Sequence, residues 1–309
     1  MKLIEVTKAF ATEDQCLAYL EAKRWPNGVR CLTCGSKEIS RITRKVTAKS
    51  DNKRAKLYQC LEPSCKAQFS ATTGTIFNGS HLSLDKWYMA IALMVDAKKG
   101  MSAMQLQRHL KVNYRTAWYL AHRIREAMLD PDGLKLTGTV EIDEMYIGGH
   151  TKNVDKWKKH APVVGIRERG GHLHFISAAN LNQDKINEII ARNVDKTVDV
   201  IMTDESKLYN FETTKYRGKH KTVNHKAEEY VRYEGGLCVT TNAIESAFSL
   251  FKRGVVGTWH KVSVKHLPAY LQEMTWRFNN RKNQYLFRDT LMRLLASDNL
   301  EYKELTKAA

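Results

Sequence analysis

The spacing of apolar and polar positions changes character three times along the chain. Residues 28–72 hold short apolar runs broken by turn residues, from Pro26, Asn27 and Gly28 ahead of CLTCG to YQC ahead of CLEPSC, and predict a small β-rich module. From LSLDKWYMAIALMVDAKK onward apolar residues recur three or four apart, with Leu84, Trp87, Ile91 and Met94 on one face, and predict a helix that Gly100 stops. Ser102 then caps a short helix through Leu110, the link KVN follows, and a longer helix runs from Tyr114 to Met128.

After the turn PDG at 131–133 the pattern becomes one of strands: VEIDEMYI, PVVGIRER and HLHFISAAN, a helix DKINEIIARNV and a buried strand VDVIMTD. The order β-β-β-α-β predicts the first half of an α/β sheet of the ribonuclease-H type, with the helix returning the chain to a parallel strand. The expected organisation is an N-terminal segment with a zinc ribbon (1–75), a helix-turn-helix region (76–132), a ribonuclease-H-like catalytic domain (133–262) and C-terminal helices packing on that core (263–309). Neither an internal repeat nor a low-complexity segment interrupts it.

Composition narrows the partners. Hydrophobic residues at 43% and charged residues at 27% describe a chain that folds. Lys and Arg number 50 against 33 Asp and Glu, a net +17 spread over every segment, and that excess calls for a polyanion, with nucleic acid the default. No apolar run approaches the roughly 18 residues that would span a bilayer, and MKLIEVTKAFATEDQ holds no apolar signal core, so the expected place is the cytosol or nucleoid, away from membranes.

Four of the six cysteines form two pairs, Cys31 and Cys34 in CLTCG and Cys60 and Cys65 in CLEPSC. Two knuckles of this kind converge four thiolates on one structural Zn²⁺, which supplies folding free energy to a module too small to be secure alone. Disulfides are the alternative, and the missing secretion signal argues against them. Cys16 and Cys238 stand alone, as expected of packing residues.

In the helix pair, the second helix offers Arg115, Thr116, His122, Arg123 and Arg125 beside an apolar stripe that includes Trp118 and Ile124. Such a helix fits a major groove; a three-helix structural bundle is the bland alternative. Farther on, Arg277 and Arg281 lie four apart on a helix whose other face carries Leu267, Leu271, Met274 and Phe278, and they are candidate phosphate contacts.

The catalytic candidates are carboxylates. Asp143 lies in a strand whose apolar content predicts burial, which is costly for a carboxylate without a partner. Asp204 ends the apolar run VDVIMTD, at the carboxyl end of a central strand where α/β sheets host their sites. In TTNAIESAFSLFKRG, Ile244, Phe248, Phe251 and Val255 form a stripe that packs on the sheet, and at about 100° per residue Glu245 and Lys252 fall together along its edge. Asn242 lies farther round and is the weaker candidate for the same role. Glu141, Glu144 and Glu205 flank the two Asp residues and compete with them by one-residue offsets. Three carboxylates are enough to hold two Mg²⁺ (or Mn²⁺) ions about 3.5–4 Å apart, the arrangement that stabilises both oxygens of an in-line phosphodiester displacement. Lys252, with Arg253 beside it, would grip a DNA phosphate.

Taken together, RWPNGVRCLTCGS, QFSATTGTIF, RTAWYLAHRIREAM, VEIDEMYIGG, TDES, VNHKAEEYV and TNAIESAFSLFKRGVVGTWHKVSVKHLPAYLQEMTWRFNNR resemble, nearly end to end, the bacterial insertion-sequence transposases with a zinc ribbon and an ISXO-two-like catalytic domain. The resemblance implies an acidic triad followed by Lys, carried here by Asp143, Asp204, Glu245 or Asn242, and Lys252. It also puts His225 of VNHKAEEYV near the site, as a family position or a DNA contact. The activity it implies is metal-dependent cleavage and strand transfer on double-stranded DNA, at the element's terminal inverted repeats and its target, by a homodimer or higher multimer. The departures are the Cys-x4-Cys knuckle and Leu32 in place of Pro, and neither touches the triad. A non-catalytic DNA-binding regulator and a nuclease that cuts without joining are the alternatives.

Overall fold

A computed structural model describes residues 3–43, 56–129, 133–148 and 161–307; most of the basic stretch after ISRIT, and residues 131 and 132 of the expected PDG turn, lie outside them. The chain forms two compact units. One is drawn from residues 1–97, 103–127 and 284–309, the other from 98–102 and 128–283. This grouping cuts across the four consecutive segments expected from the sequence, because the last helices join the ribbon-bearing unit.

In the first unit, helix α1 (Leu3–Ala9) precedes α2 (Glu13–Arg24), which begins with a capping box: Thr12 Oγ1 accepts from the Gln15 N–H, and Gln15 Oε1 accepts from the Thr12 N–H. Strands β1 (Ile39–Thr43), β2 (Lys56–Cys60) and β3 (Gln68–Phe69) form an antiparallel ribbon in that order. Trp25, Tyr58 and Phe69 pack beneath it with ring centroids 5.6–6.0 Å apart, a small core of the size expected for a metal-dependent module. Helix α3 (Leu84–Asp96) buries Leu84, Trp87, Ile91 and Met94, the predicted stripe. Helices α4 (Ala103–Leu110) and α5 (Tyr114–Glu126) are joined by three residues, with Lys111 left-handed and Asn113 Oδ1 accepting from the Thr116 N–H at 2.7 Å. Two further helices close the unit, α9 (Leu286–Ala296) and α10 (Tyr302–Thr306), and Phe287 of α9 meets the Phe10 and Tyr88 rings at 5.8 Å.

The second unit is built on a five-stranded sheet. It contains β4 (Thr139–Ile147), β5 (Ala161–Glu168), β6 (Leu173–Ser177), helix α6 (Gln183–Asn193), β7 (Val200–Asp204) and β8 (His220–Val223), in the predicted β-β-β-α-β sequence plus one strand. The spatial order is β6-β5-β4-β7-β8. β5 and β6 run antiparallel to their neighbours, whereas β7 is parallel to β4 and β8 to β7. A hairpin of β9 (Arg232–Glu234) and β10 (Leu237–Val239) then leads into α7 (Asn242–Gly254), a π-helical turn (Val255–Trp259) and α8 (Leu267–Asn279).

Alternation along the strands sorts side chains into two layers. Val140, Ile142 and Ile201 pack with Ile186, Ile189 and Ile190 of α6, and Met145 and Val163 pack on the other face with Ile244, Phe248 and Phe251 of α7. Gly165 of β5 pairs with Asp143 and carries no side chain where α7 crosses; a Cβ there would lie 2.6 Å from the Phe248 ring and 2.7 Å from Ile244. The absent side chain lets the helix lie close to β5, the strand paired with the one that bears Asp143.

Candidate functional site

The four cysteines of the ribbon meet. Their sulfurs all lie within 4.8 Å of one another, with Cys31 to Cys65 at 3.7 Å and Cys34 to Cys60 at 3.6 Å. A tetrahedron of Zn–S bonds of about 2.3 Å has edges of roughly 3.8 Å, so the arrangement has the size of a zinc site. The separation is far beyond the roughly 2.05 Å of a disulfide. Each knuckle is shaped by a left-handed residue just past its second cysteine, Gly35 in one and Lys66 in the other, and the longer Cys-x4-Cys loop closes with the Cys65 N–H bonded to the Glu62 carbonyl at 3.0 Å. Backbone N–H groups of Cys34 and Thr33 hold the Cys31 thiol down at about 6, while burial pushes Cys60 up to about 12. Cys16 is buried as expected, its thiol raised to about 12 by that burial, and Cys238 is half-buried on β10.

The carboxylates assemble from three elements. Alternation puts Glu141 and Asp143 of β4 on the face of Met145, toward α7. Across the parallel pair Glu141 is level with Met202, so two residues on Asp143 is level with Asp204, on the same face of neighbouring strands. Glu245, on α7, lines an open cleft of about 510 Å³ together with Asp143, Glu144, Met145, Phe248, Ser249, Lys252, Arg253 and Val256. Asp204 is outside that lining but close enough for its charge to be felt: burial, and then the negative charges of Glu144, Asp204 and Glu245, push Asp143 up to about 7 despite the Glu144 N–H bonded to it at 2.8 Å. Among the described residues only the cysteines bring three or more donor atoms within 4.8 Å, so the three carboxylates span a wider space.

The neighbours that compete with these residues in the sequence are engaged differently, although Glu144 shares the lining of the cleft. Glu141 is fully buried and bonded to Arg169; Glu144 points to the other face of the strand and accepts the Tyr209 hydroxyl; Glu205 is exposed. Asn242 is exposed and outside the cleft. His225 Nε2 lies 3.3 Å from Glu245 Oε1 and 3.1 Å from the Thr241 hydroxyl, which itself donates to Glu245 at 2.8 Å. Thr241 and Arg169 carry no pattern signal in the sequence, and only the fold reveals them.

The basic residues divide. Arg115, Lys252, Arg253 and Arg281 are exposed. Arg123, Arg125 and Arg277 are not, at 4%, 2% and 5% exposure, and this corrects their expected part in DNA contact. Arg123 donates to Asn299 at 2.8 Å and lies over the Trp87 and Tyr119 rings, and Arg277 pairs with buried Glu273 at 3.4 Å, so both direct their charge into the protein. Among the described residues no helix is long and apolar enough to cross a membrane.

Comparison with known proteins bears on both centres. Residues 11–68 match the transposase zinc-ribbon domain and residues 135–279 match the ISXO2-like transposase domain. Over 288 residues the sequence is 26% identical to an uncharacterized protein in transposable element ISH50 of Halobacterium salinarum, a similarity covering 87% of this chain and 92% of that protein. With the two domain types in tandem, one on the cysteine cluster and one on the carboxylate-bearing sheet, the chain belongs to the insertion-sequence transposases that join a zinc ribbon to an ISXO2-like transposase domain.

Proposed function

We propose that the protein binds the ends of its insertion sequence and catalyses metal-dependent cleavage and strand transfer at a ribonuclease-H-like carboxylate site. The observation that carries this reading is the parallel register that sets Glu141 level with Met202, and so, two residues on, Asp143 level with Asp204 on one face of adjacent strands, with Glu245 brought over the same face by α7. The sheet order, with β7 and β8 parallel to the central β4, supports the fold assignment.

Asp143, Asp204 and Glu245 would hold two Mg²⁺ or Mn²⁺ ions, which supply the Lewis acidity that stabilises the attacking and leaving oxygens of a phosphodiester. Glu245, in the cleft, is the third ligand in preference to exposed Asn242. Lys252, two helical turns beyond Glu245, and Arg253 stand on the rim where they can grip DNA phosphates. His225 and Thr241 hold one oxygen of Glu245 and so orient its carboxylate. The α4–α5 pair acts as a helix-turn-helix with Arg115 among its exposed cations, Arg281 adds a phosphate contact, and zinc in the ribbon is structural. Terminal inverted repeats and target DNA are the substrates, engaged by a dimer or higher multimer.

Asp143→Asn and Asp204→Asn, each assayed with precut element ends and Mg²⁺, are expected to lose strand transfer by at least about a thousandfold while gel-shift affinity for the ends is kept. Full activity in either variant refutes the site. Cleavage without any joined product from the unaltered protein would favour a nuclease.

A further inference from the structure

Glu141 has no part in the proposed chemistry, yet it is held by four hydrogen bonds. It is fully buried; one oxygen accepts from Arg169 Nε at 3.1 Å and Nη2 at 2.9 Å, the other from the backbone N–H groups of Ala243 at 2.7 Å and Ile244 at 3.1 Å. Those two N–H groups belong to the first turn of α7, where a helix leaves donors unsatisfied. Thr241, at the capping position, makes no side-chain bond to them and gives its hydroxyl to Glu245 instead. Arg169 extends the clamp by donating to the Cys238 carbonyl at 2.8 Å, and Arg167 donates to the Ala243 carbonyl.

We propose that Glu141, braced by Arg169, is a positioning residue that fixes Glu245 relative to Asp143. Glu141 and Asp143 are two residues apart on one face of one strand, a span of roughly 7 Å. Glu245 directly follows Ile244, the second residue Glu141 holds. A single short, rigid path therefore joins the first and third carboxylates, which the chain itself separates by about a hundred residues. A buried ion pair is weak evidence for stability, because an apolar replacement often serves as well; four directed bonds, two of them onto one helix terminus, fit a geometric task. The inference rests on the proposed metal site.

The test uses the full-length, zinc-loaded protein, with Mn²⁺ binding followed by electron paramagnetic resonance and backbone hydrogen exchange read by segment. Glu141→Gln keeps an acceptor for α7 but turns an amide toward Arg169. It is expected to weaken Mn²⁺ binding by about tenfold or more, the usual size of an outer-shell effect, and to speed exchange at Ala243, Ile244 and Glu245 while α6 and β5 stay protected. Unchanged Mn²⁺ affinity overturns the proposal, and so does loss of protection throughout the sheet, which would mark a general structural role. Arg169→Lys, which keeps the charge and loses the fork, is the second variant in case Glu141→Gln does not fold. It should give the same local pattern in milder form, and wild-type Mn²⁺ binding in it also overturns the proposal. Asp143→Asn that binds Mn²⁺ like the wild type would instead sink the metal-site reading, and the exchange data would still decide whether Glu141 holds α7.

Discussion

The ribbon and the carboxylate cleft are two answers to holding a cation. In the ribbon four soft ligands come from two tight knuckles, each closed within a few residues, and the sulfurs already sit at the edge length of a zinc tetrahedron. At the carboxylate site the proposed ligands are hard, come from β4, β7 and α7, and stand farther apart, Asp143 and Glu245 lining an open cleft and Asp204 outside its lining. On the proposed reading the first centre is a folding device that needs its ion to exist, and the second a working surface that needs its fold to receive one.

That contrast can be broken most forcefully by removing each metal. Stripping zinc with a strong chelator, or Cys60→Ser, is expected to unfold the ribbon, since structural zinc contributes about 10–16 kcal/mol in small modules; withholding Mg²⁺ should leave both units folded. Circular dichroism and segment-resolved hydrogen exchange would register either change, and an intact ribbon without zinc would erase the distinction. Smaller is the effect of Gly165→Ala, whose Cβ would press on Phe248 and Ile244. It should cost about 1–3 kcal/mol in denaturant unfolding and weaken Mn²⁺ binding by lifting α7, with zinc content unchanged.

Asp143 gives a subtler test. Its carboxyl is raised to about 7 by burial and its acidic neighbours, so the folded state binds the proton more tightly than the unfolded chain. Stability without Mg²⁺ is then full at low pH and is lost as pH rises from the ordinary carboxylate range through about 7. Asp143→Asn is expected to melt several degrees above the wild type at about pH 8 without Mg²⁺, the gap closing near pH 4, and added Mg²⁺ should narrow it by stabilising only the wild type. A constant gap across pH would mean that Asp143 feels no such crowding. Least of all, Arg115→Ala should leave unfolding within about 0.5 kcal/mol of wild type and lower the salt dependence of DNA binding by about one ion.

The two centres also differ in how openly the sequence declares them. Cysteine spacing is local, so Cys31, Cys34, Cys60 and Cys65 are legible as one site before any fold is known. Asp143 and Asp204 are legible as candidates through strand pattern and the β-β-β-α-β order, since both lie on strands whose partners that order implies. Helical angle alone leaves both Glu245 and Asn242 open; in the fold Glu245 lines the cleft and Asn242 lies outside its lining. Helices α1 and α2 and the β9–β10 hairpin carry no pattern strong enough to predict them. The arginines mislead for a physical reason: a helix that buries one face on several neighbours can draw in cations near the apolar stripe, and Arg123 and Arg277 find aromatic or acidic company there. Glu141 stays hidden because a carboxylate near a candidate catalytic one resembles a rival, and its partners on α7 lie about a hundred residues away.

The level pairing of Asp143 with Asp204 has a consequence for how such genes tolerate length changes. Inserting one codon within residues 200–202 would rotate everything after it by half a pleat and send Asp204 toward the isoleucine layer of α6, whereas two codons restore its facing and merely advance it. Inside that strand, therefore, only even steps would preserve the facing of Asp204.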